Sequence, residues 1–286
     1  MKVLITGATG FIGSHIIGKL LHYKDVYIIA TTRNIEKAEK FYWFNHDNIK
    51  IIEFDISQTN SNIYSGLYNP DILIHLAWDG LPNYNNLYHI ENNLYKNYLF
   101  LKDIISGGLQ DLTVAGTCLE YGMKNGCLSE NIDVNPIISY AIAKDSLRRF
   151  IEEFQKTKKF HLKWIRLFYI YGPNQYSNSI LSKLDEAIKK NKKVFNMSAG
   201  EQLRDFLPVE KAVEYIIQIA FQNKITGIIN CCSGKPISIR NLVENYLKEK
   251  NAHMDLNLGY YPYPNYEPMA FWGDNSKLNK LCNAHL

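Results

Sequence analysis

Residues 139–144 read SYAIAK, which places a phenol at Tyr140 and an amine at Lys144, four positions apart. On a helix that spacing puts the two side chains on one face. A free tyrosine titrates near pH ~10, so at neutral pH it gives protons readily and takes them poorly. A lysine cation beside it favours the phenolate and lowers that pKa toward the working range. Such a pair can protonate an alkoxide as hydride reaches a ketone, or take the proton in the reverse direction. Spacing alone is not diagnostic, because YLFLK (98–102) and YLKEK (246–250) repeat it. Order separates the three. Only Tyr140 follows an apolar strand, LTVAG (112–116), and the loop GTCLEYG (116–122), and then opens a helix. That loop offers a hydroxyl, a thiol, a carboxylate and a second phenol in Thr117, Cys118, Glu120 and Tyr121.

Elements that could position this chemistry are legible upstream. KVLIT (2–6), VYIIA (26–30), IKIIEF (49–54), DILIHL (71–76) and LTVAG read as buried strands. Helical patterns at 11–23, 34–45 and 84–106, and an irregular connection at 57–69, lie between them. The alternation predicts an α/β fold, a Rossmann-like doubly wound parallel sheet with helices on both faces. TGATGFIG (6–13) joins the first strand to the first helix and carries Gly7, Gly10 and Gly13. The glycines permit a tight turn and close approach of a pyrophosphate, and the amides that start the helix, at Phe11, Ile12 and Gly13, point at the anion.

The end of the second strand reads IIATTRN (28–34), with no carboxylate before Glu36 and a cation at Arg33. A carboxylate there would accept the ribose 2′-hydroxyl of NAD, whereas an arginine pairs with a 2′-phosphate. NADP(H) is therefore the expected cofactor, with NAD(H) the alternative. Asp55 and Ile56 after the third strand, and Leu76 and Ala77 in HLAW (75–78) after the fourth, stand at strand carboxyl ends, where such sheets bind ligands.

Composition narrows the remaining classes. With 46% hydrophobic and 21% charged residues the chain is of soluble globular type. Its net charge of +4 is spread along the sequence, and KKNKK (189–193) reads as a solvated helix end, so a nucleic-acid partner is not expected. Five cysteines without a CxxC pairing argue against a disulfide framework or a metal site and fit a reducing compartment. No charged leader with an apolar run, and no stretch of about 18 apolar residues, predicts a cytoplasmic location without a membrane span.

After residue 170 the alternation loosens. Helices are expected at 180–190, 209–221 and 237–250 and a strand at 226–232, followed by an irregular tail rich in Tyr and Pro at 259–274. The expected division is a dinucleotide-binding domain over 1–168, to which parts of 200–232 return, and a mainly substrate-binding domain over 169–286.

TGATGFIG, Asp55-Ile56, HLAW, GTCLEYG, SYAIAK, RLFYIYGP (166–173) and RDFLPVE (204–210) follow one another in an order that resembles the extended short-chain dehydrogenase/reductases acting on nucleotide sugars. The resemblance runs from residue 1 to about 250. It implies a nucleotide-sugar substrate and a homodimer through 84–106 and 138–158. It puts the family's catalytic hydroxyl, tyrosine and lysine on Thr117, Tyr140 and Lys144, and its substrate-phosphate arginine on Arg204. Substrate contacts are thus expected from Thr117, Tyr140 and Arg204. The family's helix asparagine, which places the lysine through water, falls on Asn93, with Asn92 as the alternative alignment.

Departures narrow the activity. The family's 4,6-dehydratases carry an Asp-Glu pair where this chain has Cys118 and Leu119, so elimination lacks its acid and base. The epimerase-reductases place a cysteine where Leu119 stands and a histidine where Asn174-Gln175 follow YGP. Tyr169 replaces the asparagine common in RLFYIYGP. What remains is NADPH-dependent reduction of the C4 ketone of a nucleotide-linked 4-keto-6-deoxyhexose, with dTDP the first choice of nucleotide. The alternatives are a nucleotide-sugar 4-epimerase with tightly bound NAD and, remotely, an NADP-sensing regulatory protein. Glu120 and Tyr121 are expected to be loop or substrate-pocket residues.

Overall fold

The structure, a computed structural model, describes residues 1–58 and 60–283. Five strands come first: β1 Lys2–Thr6, β2 Tyr27–Thr32, β3 Ile49–Glu53, β4 Ile72–His75 and β5 Asp111–Thr117. Next are β6 Gly126–Leu128, β7 His161–Leu167, β8 Tyr169–Tyr171, β9 Val194–Asn196 and β10 Leu203–Pro208. The last four are β11 Gly227–Cys231, β12 Pro236–Ser238, β13 Asp255–Asn257 and β14 Phe271–Gly273. Seven of them form one parallel sheet in the order β11-β7-β5-β4-β1-β2-β3. The order reverses between β1 and β4, where Thr6 and His75 are register partners. Ligands of open parallel sheets bind in the crevice outside such a reversal.

Alternate residues of a strand face opposite sides, and here both sides are covered, so the strands are largely apolar on both faces. Val3 and Ile5 pack with Ile16, Ile17, Val213 and Ile216 of the helices Phe11–Leu20 and Val209–Ala220. Leu4, Leu73 and Leu112 face the other way, onto Phe100, Leu101 and Ile104 of the helix Tyr95–Gly107 and Leu147 and Ile151 of the helix Ser139–Gln155. Residues 227–231 rejoin the large sheet through β11. A separate core under residues 180–256 packs Leu181, Leu184, Phe195, Val243 and Leu247. The last three residues of the 169–286 span, and Thr59 in the 57–69 connection, lie outside the described residues.

Three expected elements differ. The helix expected over 34–45 is four residues, Ile35–Ala38, capped by Asn34, whose Oδ1 accepts from the Lys37 amide at 2.7 Å. Beyond it Phe41 and Trp43 stack at 4.8 Å, a pairing two residues apart that a helix does not allow. The helix expected from 84 begins at His89 with a π-helical turn, His89–Leu94, before Tyr95–Gly107. Asn93 in that turn is fully buried and donates to the Asp79 carbonyl at 2.8 Å, a local demand of the kind that accompanies π-bulges. The tail is not wholly irregular: β14 pairs in parallel with β6.

Candidate active site

The cofactor loop is built from backbone. Gly7 has φ +71°, and a Cβ there would lie 3.0 Å from the Ala77 nitrogen. A Cβ at Gly13 would stand 2.3 Å from the Gly7 carbonyl oxygen, so glycine is required where loop and helix cross. The first i→i−4 bond of the helix is Ser14 N to Gly10 O at 3.0 Å. The amides of Phe11, Ile12 and Gly13 precede it, and no side chain caps them. This glycine cradle with open helix-start amides fits a dinucleotide pyrophosphate.

His75 fixes the crevice. It is fully buried, its Nδ1 accepts from Thr6 Oγ1 at 2.8 Å and its Nε2 donates to Asn97 Oδ1 at 2.7 Å. Burial, reinforced by the charge of Lys144, depresses its pKa to about 3, so the ring is a neutral rivet between β1, β4 and the helix Tyr95–Gly107.

Two cavities meet at the glycine loop. Gly7, Gly10, Leu76 and Trp78 line both. The first is completed by Arg33, Asp55, Ile56, Ala77, Asp79 and Lys96. Burial pushes the Asp55 carboxyl up, but bonds from Ser57 and the charges of Arg33 and Lys96 more than offset that and hold it below its usual range. Arg33 is not a free cation. Its Nη1 and Nη2 meet Asp79 Oδ2 and Oδ1 at 2.8 and 2.6 Å, and Lys96 Nζ meets Oδ2 at 2.5 Å.

The second cavity holds Phe11, Ile12, Gly13, Thr117, Tyr140 and Lys144 together with Tyr84, Tyr169 and Glu267. Thr117 ends β5, and Tyr140 lies in the first turn of its helix, its amide donating to the Tyr84 carbonyl at 2.9 Å. Thr117 and Tyr140 face the same cavity, and the Thr117 hydroxyl favours the Tyr140 phenolate. The rings of Trp78, Tyr84 and His89 surround Tyr140 at centroid distances of 5.9, 5.6 and 5.4 Å.

The expected influence of Lys144 on Tyr140 is not what the free protein shows. Burial raises the Tyr140 pKa well above its ordinary value, with the nearby Tyr84, Glu120 and Cys118 adding to the rise and the Thr117 hydroxyl opposing it. Lys144 faces elsewhere: its ammonium donates to the Ala115 carbonyl at 2.8 Å and sits 3.9 Å above the Trp78 ring. Burial brings Lys144 down to about 7. Because an unfolded lysine titrates at about 10.5, folding penalises this charge fully below pH 7, and the penalty fades as pH rises to 10.5. Lys144→Met is therefore expected to raise the melting temperature at pH 7 by a few degrees while abolishing turnover. The gain should shrink in melts run toward pH 10.

Of the two alternatives expected for Glu120 and Tyr121, the loop holds and the pocket does not: both lie in the turn Cys118–Tyr121 with side chains fully buried. Glu120 accepts from the Thr117 amide (2.9 Å), Trp164 Nε1 (3.0 Å) and Arg166 Nε (2.8 Å). Tyr121 Oη donates to Asn230 Oδ1 at 2.8 Å. Cys118 does line the cavity but is buried among Tyr121, Phe168, Cys232 and Phe271, and burial pushes its thiol far up. Arg204 is 1% exposed and lies outside both cavities. Its guanidinium bonds the Tyr169 hydroxyl (3.2 Å) and Glu267 Oε2 (2.9 Å), and it packs 4.6 Å from the Phe271 ring. Glu267, from the aromatic tail, is thus the charged group that reaches the cavity in front of Arg204. Asn93 is buried with its Oδ1 unpartnered among the described residues, whereas Asn92 is exposed.

The sequence points to the loop WDGLPNY (78–84) and the aromatic tail as the segments that set the face of the ketone, but it gives no individual role to Trp78, Asp79, Tyr84 or Glu267. Glu267 carries no signal of its own, because its arginine partner is 63 residues away.

A doubly wound parallel sheet with a glycine-cradled crevice and a hydroxyl–Tyr–Lys cluster beside it defines a dinucleotide-dependent short-chain dehydrogenase/reductase. The chain belongs to the NAD dependent epimerase/dehydratase family, whose profile matches residues 3–232. It is 34% identical over 275 residues to a dTDP-6-deoxy-L-talose 4-dehydrogenase (NAD(+)) from Aggregatibacter actinomycetemcomitans, covering 96% of this chain and 99% of that one. Among solved structures it superposes with a UDP-N-acetylglucosamine 4-epimerase from Methanobrevibacter ruminantium M1 at TM-score 0.86 and 24% identity, covering 98% and 91% of the two chains. A UDP-glucuronic acid 4-epimerase from Bacillus cereus, solved with UDP-glucuronic acid and NAD, gives 0.84 and 24%, covering 99% and 93%. These two likenesses carry the fold. Among the described residues no helix is long and apolar enough to cross a membrane, and no cluster of His, Cys, Asp or Glu suits a metal ion.

Proposed function

We propose that the protein interconverts the C4 ketone and C4 hydroxyl of a nucleotide-linked 6-deoxyhexose, acting as a 4-ketoreductase with dTDP as the nucleotide. The observation that carries the reading is the cavity itself. It holds Thr117, Tyr140 and Lys144, while the two positions after Thr117 are a buried thiol and a leucine. Proton transfer to one oxygen is provided for, and elimination of water is not. The relative that oxidises dTDP-6-deoxy-L-talose at C4 supports it, because the reverse of that oxidation reduces a 4-ketone.

The dinucleotide, held by Gly7, Gly10, Phe11, Ile12, Gly13, Asp55, Ile56, Leu76 and Ala77, supplies hydride chemistry when bound. The protein's own groups handle the proton. Tyr140 keeps its phenol protonated in the buried site and delivers that proton to the C4 oxygen. Thr117 donates to the same oxygen and orients it toward the phenol. Lys144, titrating at about 7 in the free protein, supplies positive charge beside the developing phenolate once its contacts with Ala115 and Trp78 are exchanged. The aromatic wall of Trp78, Tyr84 and Tyr140 excludes water. We assign the cofactor side to 1–168 with 209–231 and the sugar side mainly to the remainder of 169–286. We place a homodimer contact on the two helices that expose Tyr95 and Phe150.

Purified protein is expected to consume reduced dinucleotide when given freshly prepared dTDP-4-keto-6-deoxyhexose. Absence of consumption with both NADH and NADPH sinks the reduction. The 4-epimerase alternative predicts instead that acid extraction of the purified protein releases about one NAD per chain.

A further inference from the structure

Sheets of this type distinguish NAD(H) from NADP(H) at the adenosine ribose, where a carboxylate accepts the 2′-hydroxyl and a cation holds a 2′-phosphate. The end of β2 supplies no carboxylate, since it reads Thr31-Thr32-Arg33-Asn34. One nevertheless reaches the same cavity from β4. Asp79 holds both forward nitrogens of the Arg33 guanidinium, at 2.6 and 2.8 Å, and takes a third bond from Lys96. Its own position is anchored, because its backbone carbonyl accepts from the fully buried Asn93 at 2.8 Å. The Asp79 side chain is only 21% exposed, against 58% for Arg33.

We propose that Asp79 is the specificity-determining residue for the cofactor: by engaging Arg33 and keeping a carboxylate in the adenosine cavity, it makes the chain select NAD(H) over NADP(H). A 2′-phosphate would have to displace a bidentate charge-assisted pair and then lie beside the displaced carboxylate. A 2′-hydroxyl meets neither obstacle and can donate to the carboxylate. The cation at Arg33, read alone, points the other way, because the partner that neutralises it stands 46 residues along the chain. The NAD(+) in the name of the 34%-identical relative agrees. The inference rests on the cavity and holds for a reductase or an epimerase alike.

Calorimetric titration of the purified full-length chain with NADH and with NADPH, without any sugar nucleotide, tests it independently of turnover. The native protein is expected to bind NADH at least about tenfold more tightly than NADPH. Asp79→Asn keeps the side-chain shape and the carbonyl contact while removing the charge. It should strengthen NADPH binding by about tenfold and move NADH by no more than about threefold. Adding Arg33→Ala to that variant should cancel the gain. Equal or inverted native affinities overturn the proposal, and so does an Asp79→Asn protein whose NADH:NADPH ratio matches the native one. Should Asp79→Asn fail to fold, Arg33→Ala alone decides. The proposal expects it to leave the NADH preference in place, and a collapse of NADPH binding from a native NADPH preference rejects it.

Discussion

Tyr140→Phe is expected to lower the rate of the chemical step by about 10²–10⁴-fold, the usual worth of a positioned general acid. The phenol shares the cavity with Thr117 and Lys144, and its ring makes the contacts with Trp78, Tyr84 and His89. Phenylalanine keeps those ring contacts, so folding and dinucleotide affinity should stay close to native. The diagnostic measurement is single-turnover hydride transfer beside calorimetric cofactor binding. A variant with native single-turnover rate removes Tyr140 from the mechanism, and one that loses cofactor binding shows the ring to be structural instead. The same logic separates Tyr140 from the equally spaced Tyr98 and Tyr246: Tyr246 is bonded to Asp185 at 2.8 Å and Tyr98 packs edge-on against Phe150, both away from the sheet's crevice.

The second large effect concerns stability. Glu120→Gln should destabilise the protein by about 3–5 kcal/mol, since removing one member of a buried ion pair strands the other. The stranded group is Arg166, which is 1% exposed and whose Nη1 already has no hydrogen-bond partner among the described residues. In a chain of this size the loss corresponds to a fall in melting temperature on the order of 10 °C. The double variant Glu120→Gln/Arg166→Gln removes both charges and should recover a large part of it. Denaturant melts of the four proteins give the coupling. Additive losses would mean that the 2.8 Å contact contributes nothing beyond its separate parts. Activity should fall along with stability, because Glu120 also holds the Thr117 amide and closes the capping box that shapes the loop.

The first prediction rests on Tyr140 in the helix after the loop and the second on Glu120 within it, yet the sequence makes only the first visible. Thr117 is legible because strand, loop and helix follow in order, and order survives in a linear chain. The first five strands are legible for a related reason: a strand buried on both faces is largely apolar on both, and that is a local property. The structural role of Glu120 within that loop is not legible, because its partners, Trp164 and Arg166, lie on another strand. The partners of Arg33 and Arg204 are hidden for the same cause, since Asp79 and Glu267 reach them across the fold. The short helix Ile35–Ala38 and the π-helical turn at His89 were missed because aromatic stacking and a buried asparagine outweigh local helix preference there. Charge pairing between distant segments is a property of the folded chain, and it decides the surroundings of Arg33, Glu120 and Arg204.

The position of Trp78 has an optical consequence. Of the four tryptophans it is the one that lines both cavities, with its indole face against the Lys144 ammonium. Indole emission overlaps the absorption band of a reduced nicotinamide, so a reduced dinucleotide seated there accepts energy from Trp78 and dims the protein's intrinsic fluorescence. Trp164, by contrast, is locked to Glu120 behind the loop. The residue that walls Tyr140 thus also gives the protein a built-in reporter of occupancy, readable without label or substrate.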